Sequence, residues 1–162
     1  MKGNLIHVGV AEWKTAENPD ALRTTLGSCV GVVLFSQQKK VGGMAHILLP
    51  EAPPGRIAHR GRYARQAIDS LVLDLKKMGV EPGELTARIF GGASMFESSP
   101  RTFLKNVGPE NVKASIQILQ THRIPLTIEE TGGHSGRTIT VFFDDGRILL
   151  RTNGSEKFIY RI

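Results

Sequence analysis

Two apolar runs separated by a short polar segment most constrain how this chain can fold. The runs are CVGVVLF at residues 29–35 and VGGMAHILL at residues 41–49, with SQQKK between them. Both alternating sets of side chains in the first run are apolar, so this strand is predicted to be buried on both faces. We interpret the pair as an antiparallel hairpin inside a covered sheet.

The hairpin brings the single cysteine of the chain towards a histidine. A turn centred between Gln37 and Gln38 would set Cys29 directly opposite His46. Directly opposed residues have Cβ atoms about 5 Å apart on the same face. A slip of one residue would turn His46 to the other face. This register therefore predicts a thiol–imidazole contact.

A thiol beside an imidazole has the chemistry of a nucleophile, because the imidazole favours the thiolate. The backbone amides of Gly27, Ser28 and Cys29 precede the strand in a tight turn and are candidates for an oxyanion hole. Together these groups would suit acyl transfer through a thioester. The alternative is that Cys29 is a small core residue and His46 a hydrogen-bonded core histidine.

The rest of the chain is interpreted as one domain over residues 1–162. NLIHVGVAEW is predicted to be a first strand, ENPDALRTT a loop, and ELTARIFGGASMF a strand running into glycines. An apolar stripe predicts a helix over about residues 58–78, and Gly108-Pro109-Glu110 resembles a second helix start. Three β segments, PLTIEET, RTITVFF and RILLRT, follow. These elements predict an α/β fold, a mixed β-sandwich flanked by helices.

Composition limits the class of protein. Of 162 residues, 40% are hydrophobic and 22% charged, which suits a globular domain. One cysteine cannot form an internal disulfide. The first residues do not resemble a signal peptide, and the apolar runs fall short of the roughly 20 residues of a membrane span. We therefore expect a soluble, cytoplasmic protein without membrane insertion.

The net charge of +6 would suit a negatively charged partner, either nucleic acid or an acidic protein surface, but charge alone favours the alternative that the basic residues only solvate helix faces. Lys and Arg are not interleaved with aromatics, so nucleic acid is not expected as the partner. The segment TGGHSGRT lacks the first glycine and the lysine of a phosphate-binding loop, and a strand-like run follows it. His134 is interpreted as a loop histidine that could line the site, and Met95 and Phe96 as strand-end residues or a protein contact. The cysteine and histidines lack zinc-ligand spacing, so neither a metal nor another cofactor is expected.

Four motifs in order, LGSCVGVVLF, GGMAHILLP, GGASMF and TGGHSGR, resemble the chemoreceptor glutamine deamidase family, CheD. The resemblance runs over nearly the full chain. It implies conversion of glutamine side chains on methyl-accepting chemotaxis receptors to glutamate, with release of ammonia. It also implies a fold similar to bacterial toxin deamidase catalytic domains, and binding of the CheC phosphatase.

The same resemblance implies a cysteine nucleophile and a histidine, which fall on Cys29 and His46. It implies a threonine shortly before LGSC as well, for which Thr24 and Thr25 compete, with Thr24 preferred. The competing interpretation is a non-catalytic basic module that docks on receptors or on CheC and uses Cys29 only for packing.

Overall fold

The apolar hairpin forms the middle of a five-stranded sheet. The computed structural model describes residues 2–95 and 101–160, without the side chains of 102–105. Every residue of β4 (Val30–Ser36) and β5 (Val41–Ile47) is buried. β4 pairs antiparallel with β5 on one side and with β6 (Thr86–Gly91) on the other. A strand that is apolar on both faces needs cover on both faces, and this one has it.

Ten strands form two sheets within the described residues. The other strands are β1 (Leu5–His7), β2 (Trp13–Glu17), β3 (Ala21–Leu26), β7 (Leu126–Thr131), β8 (Arg137–Phe142), β9 (Ile148–Thr152) and β10 (Ser155–Ile159). Sheet A has the order β1-β3-β8-β9-β10, and sheet B the order β2-β5-β4-β6-β7. The β1–β3 and β6–β7 pairs are parallel and the remaining pairs antiparallel, so both sheets are mixed.

The molecule has three layers, with sheet B in the middle. Helices α1 (Ala64–Lys77) and α2 (Thr102–Thr121) cover its outer face. The core between them and the sheet includes Val32, Ile68, Leu71, Ile89 and Leu119. A second core between the two sheets includes Leu22, Leu26, Val33, Met44, Phe90 and Ile139. The predicted mixed α/β sandwich is confirmed, with both helices on one face.

Several predicted boundaries are wrong. The N-terminal segment contributes β1 and β2 to different sheets, and ENPDALRTT, predicted to be a loop, contains most of β3. α1 begins at Ala64 after a 3-10 turn at Arg60–Arg62. α2 begins at Thr102, so Pro109 lies inside it. Pro109 is exposed, and there the helix continues although proline supplies no N–H to bond the preceding turn.

Within the described part of the chain, no helix is both long enough and apolar enough to cross a lipid bilayer.

Candidate active site

The candidate nucleophile lies in the turn that carries the chain from sheet A to sheet B. Residues 27–29 form this turn between β3 and β4, and Cys29 is a free, half-buried cysteine. Its side chain packs against the core between the sheets. His46, on β5, is 3% exposed. Met44, two residues before His46, belongs to the same inter-sheet core, so strand alternation points the imidazole to the face on which Cys29 lies.

The predicted register of the hairpin is wrong by two residues. The residue opposite His46 is Gly31, whereas Cys29 was expected there. The turn spans Gln37 to Lys40 and not Gln37-Gln38 alone, and it is closed by a bond from Lys40 N–H to the Ser36 carbonyl of 2.8 Å. A shift of two residues keeps every side chain on its face. Extended one residue beyond its last pair, Val30–Ile47, this register makes Cys29 and His46 diagonal neighbours, a relation with a typical spacing of about 7–8 Å in a regular sheet.

A hydrogen bond between the sheets orients the histidine. The Thr24 hydroxyl, fully buried on β3, lies 2.7 Å from His46 Nδ1 and donates to the Val8 carbonyl at 2.7 Å. Because a hydroxyl has one proton, Oγ1 can only accept from Nδ1–H. This fixes the neutral tautomer that is protonated at Nδ1. His46 Nε2 is buried and makes no hydrogen bond with the described residues.

Burial sets the protonation of both groups. Burial lowers the pKa of His46 to about 4. A hydrogen bond of the imidazole with the Val8 backbone and the charge of Glu12 raise this pKa, whereas the charge of His7 lowers it, and burial has the largest effect. Burial also raises the pKa of the Cys29 thiol. At neutral pH the resting site therefore holds a neutral thiol and a neutral imidazole. This differs from the expected thiolate, because desolvation disfavours both charged forms.

The turn before β4 directs three carbonyls into the protein. The Gly27 carbonyl accepts from Ala93 N–H at 3.0 Å, and the Cys29 carbonyl from Gly92 N–H at 2.9 Å. The Ser28 carbonyl accepts from the side chain of Asn111 at 3.0 Å. Among the bonds between described residues, the N–H groups of Gly27, Ser28 and Cys29 donate to none. A run of such free amides is suited to holding an anion.

Two residues that contact the site, Asn111 and Val8, are not predicted by the sequence. Asn111 lies on α2, is fully buried, and also donates to the Leu48 carbonyl at 3.1 Å. An isolated asparagine 82 residues beyond the cysteine carries no sequence signal of this contact. Val8 contributes a backbone carbonyl, which no residue pattern identifies. Both become recognisable only from the packing of distant segments.

The remaining candidate residues are Thr25, His134 and Met95, which the structure describes, and Phe96, which it does not. Thr25 is exposed and lies 3.0 Å from the Thr138 hydroxyl on the outer face of sheet A, so Thr24 is the threonine at the imidazole. His134 is an exposed loop residue 3.3 Å from the Ser94 carbonyl. Met95 is 45% exposed, and a Cβ at Gly27 would lie 3.5 Å from it. Phe96 lies outside the described residues.

Comparisons with known proteins support the resemblance seen in the sequence. A family profile described as CheD chemotactic sensory transduction matches residues 48–152. The chain belongs to the CheD family. The matched range of this CheD profile begins just after His46 and includes Asn111, whereas similarity to individual relatives extends over nearly the whole chain.

Three relatives carry the name probable chemoreceptor glutamine deamidase CheD. The protein of Desulforamulus reducens is 40% identical over 157 residues, covering 95% of each chain. That of Moorella thermoacetica is 41% identical, covering 95% of this chain and 94% of its own. That of Caldanaerobacter subterraneus subsp. tengcongensis is 37% identical, covering 95% and 96%.

A solved structure with a weaker likeness is that of the Bacillus licheniformis hypothetical protein YfiH. It has a TM-score of 0.47 and 14% identity, and the match covers 75% of this chain and 51% of that one.

Proposed function

We propose that this protein is a protein-glutamine deamidase that converts glutamine side chains of methyl-accepting chemotaxis receptors to glutamate. The observation that carries the proposal is the hydrogen bond from His46 Nδ1 to Thr24, whose hydroxyl is fixed by Val8. It leaves Nε2 as a base on the face where the Cys29 thiol lies. The names of the relatives supply the substrate class.

The proposed reaction begins with attack of Cys29 Sγ on the side-chain carbonyl carbon of the glutamine. His46 Nε2 takes the thiol proton as the S–C bond forms. When the tetrahedral intermediate collapses, the C–N bond breaks and Nε2 gives that proton to the leaving nitrogen, which departs as ammonia. Water then attacks the thioester, Nε2 accepts a water proton, and glutamate leaves as the thiol is restored. Since the pKa values keep both groups neutral at rest, proton transfer accompanies attack.

The amides of Gly27, Ser28 and Cys29 are proposed to stabilise the oxygen that becomes negative in both tetrahedral intermediates. The Gly27 and Ser28 carbonyls share peptide planes with the Ser28 and Cys29 N–H groups and are held by the protein, while the three N–H groups have no acceptor among the described residues. Preorganised donors of this kind cost no rearrangement when charge develops. Loss of one such donor typically slows a reaction by about 100-fold or more.

We also propose where the protein acts and which second protein it binds. We propose that it acts in receptor adaptation in the cytoplasm and binds the CheC phosphatase, as the resemblance to the CheD family implies; the description of the family profile, chemotactic sensory transduction, supports the role in chemotaxis. The net charge of +6 suits an acidic protein surface as partner. Co-purification of this chain with CheC in the presence and absence of a receptor fragment tests that interaction directly.

Mass spectrometry of a receptor cytoplasmic fragment tests the proposed function. We expect wild-type protein to convert particular receptor glutamines to glutamate and to release ammonia in equal amount. Cys29→Ala should lower the rate by about 1,000-fold or more, because removal of a nucleophile leaves only residual catalysis. Thermal unfolding monitored by circular dichroism establishes that the variant is folded.

Two outcomes would contradict the proposal. A folded Cys29→Ala variant with wild-type deamidation would exclude Cys29 as nucleophile. Receptor binding by both proteins with no conversion by either would favour the non-catalytic docking module. Thr25→Val is a control for substitution close to the site that leaves the site itself intact. Thr25 faces outward on the same strand as Thr24, so this variant should deamidate the receptor at the wild-type rate.

A further inference from the structure

Asn111 joins the two segments that carry the candidate catalytic groups. Its Nδ2 lies 3.0 Å from the Ser28 carbonyl, next to Cys29, and 3.1 Å from the Leu48 carbonyl, two residues after His46. A side-chain amide nitrogen has two hydrogens and can donate one to each. Oδ1 receives no hydrogen bond from the described residues. Towards the part of the chain that the structure describes, this fully buried side chain therefore makes two polar contacts, both from Nδ2.

The bond to Ser28 also determines where the next amide points. The Ser28–Cys29 peptide is planar and trans. In a trans peptide the N–H is directed opposite to the C=O. Because Asn111 holds the Ser28 carbonyl towards α2, the Cys29 N–H is directed away from α2. The Cys29 side chain likewise lies away from α2, against the core between the sheets.

The other two peptides of the turn are fixed differently. The Gly27 and Cys29 carbonyls are held by the backbone amides of Ala93 and Gly92. His46 is held by its strand pairing and by backbone bonds with Ala11 and Glu12. The Ser28 carbonyl, by contrast, is held by a side chain. Loss of that side chain releases one peptide plane while the backbone anchors of Cys29 and His46 remain.

We propose that Asn111 is a positioning residue that orients the Cys29 N–H as an oxyanion donor. The inference rests on the proposed deamidase function. Asn111 does not touch the substrate and acts through the Ser28–Cys29 peptide. It should therefore affect the tetrahedral intermediates, where an oxyanion forms, and leave substrate binding and thiol alkylation unaffected.

Steady-state deamidation and iodoacetamide alkylation of Cys29 separate these effects. Alkylation displaces iodide at a saturated carbon and forms no oxyanion, so it reports the thiol and its base alone. For Asn111→Ala we expect kcat to fall by about 10- to 100-fold, with KM and the alkylation rate within about twofold of wild type. Asn111→Asp keeps the shape of the side chain but replaces Nδ2 with a carboxylate oxygen, which cannot donate to the Ser28 and Leu48 carbonyls and repels them. Its kcat should therefore fall at least as far as that of Asn111→Ala.

Ser115→Ala is the matched control. Ser115 lies one turn further along α2, is fully buried, and donates to the Asn111 backbone carbonyl at 2.7 Å. It should lower stability without lowering kcat. If Asn111→Ala does not fold, Asn111→Ser replaces it, since a hydroxyl retains one donor and should give an intermediate kcat.

The outcomes distinguish this inference from the function on which it rests. Absence of deamidation by wild-type protein overturns both. Deamidation by wild type with an unchanged kcat in folded Asn111→Ala overturns the positioning role alone. A parallel fall in kcat and alkylation also overturns it, because the residue would then hold the nucleophile itself.

Discussion

At the scale of single residues, the direction of the Thr24 hydroxyl proton determines which nitrogen of His46 carries a proton. The Thr24 hydroxyl donates to Val8, so it must accept from His46. Burial keeps the ring neutral by lowering the pKa of His46 to about 4. A neutral ring with its proton at Nδ1 presents a lone pair at Nε2, which is the state that a general base requires.

Replacement of Thr24 tests this arrangement. In Thr24→Val the shape is nearly kept, but Nδ1–H loses its acceptor and the tautomer is no longer fixed. We expect kcat for receptor deamidation to fall by about 100-fold, whereas Thr24→Ser, which keeps the hydroxyl, should stay within about tenfold of wild type. Equal kcat values for the valine and serine variants would contradict the orienting role.

Part of this site follows from the sequence and part does not. The placement of Cys29 and His46 on one face of the sheet follows from the alternation of side chains in the two apolar runs. The register error does not alter it, because a shift of two residues keeps every side chain on its face. Their neutral resting state does not follow, because it depends on how completely both sheets exclude water. Asn111 lies outside any local pattern, since its contacts are with residues 63 and 83 positions away.

At the scale of elements, β3, the strand that carries Thr24, was predicted to be a loop. Asn18, Pro19 and Asp20 are turn formers, and their signal was extended over the residues that follow. Those residues alternate in burial, with Leu22, Thr24 and Leu26 facing the inter-sheet core. One of these inward positions is polar, which weakens the hydrophobic alternation. The strand is stabilised by β1 and β8, which the local sequence does not specify.

Close packing of α1 on sheet B predicts a strong effect of one methyl group. A Cβ at Gly43 of β5 would lie 2.5 Å from the Lys14 carbonyl and 2.6 Å from Leu71 Cδ1. Gly43→Ala should lower the free energy of unfolding by about 2 kcal/mol, since neighbouring backbone must move. Urea denaturation measures this change.

Gly83→Ala is the control for this substitution, because nothing lies within 4 Å of its added Cβ. It should be neutral or stabilise slightly, by up to about 1 kcal/mol, through the unfolded chain. Equal effects of the two substitutions would show that α1 does not pack on β5 as closely as described.

At the scale of the whole molecule, the layer order follows from the sequence better than the strand order does. An apolar hairpin and two amphipathic helices imply a sheet covered on both faces. The pairing of β3 with β8 joins segments more than 100 residues apart. The two parallel pairs, β1–β3 and β6–β7, are not joined by a hairpin turn, so no turn motif in the sequence predicts them. Such pairings depend on the complete set of packed faces.

Burial of His46 makes the stability of the whole molecule depend on pH. Its folded pKa of about 4 lies below the ordinary value of 6.5, so protonation favours the unfolded chain. This contribution is complete above about pH 6.5 and is lost as the pH falls to about 4. Over that interval the free energy of unfolding should drop by about 3 kcal/mol more in wild type than in His46→Gln. Urea titrations of both proteins across this range measure the difference, and parallel curves would contradict the burial of a neutral imidazole.

The strand order has a consequence for the protein during its synthesis. A ribosome that has released residues up to Ile47 has already exposed the thiol, the imidazole and the hydroxyl. Two of the strands that pair with β3 and β4 have not yet been translated, since β6 begins at Thr86 and β8 at Arg137. A nascent chain therefore carries Cys29, His46 and Thr24 before either sheet is complete, and the candidate site can assemble fully only when translation has passed β8.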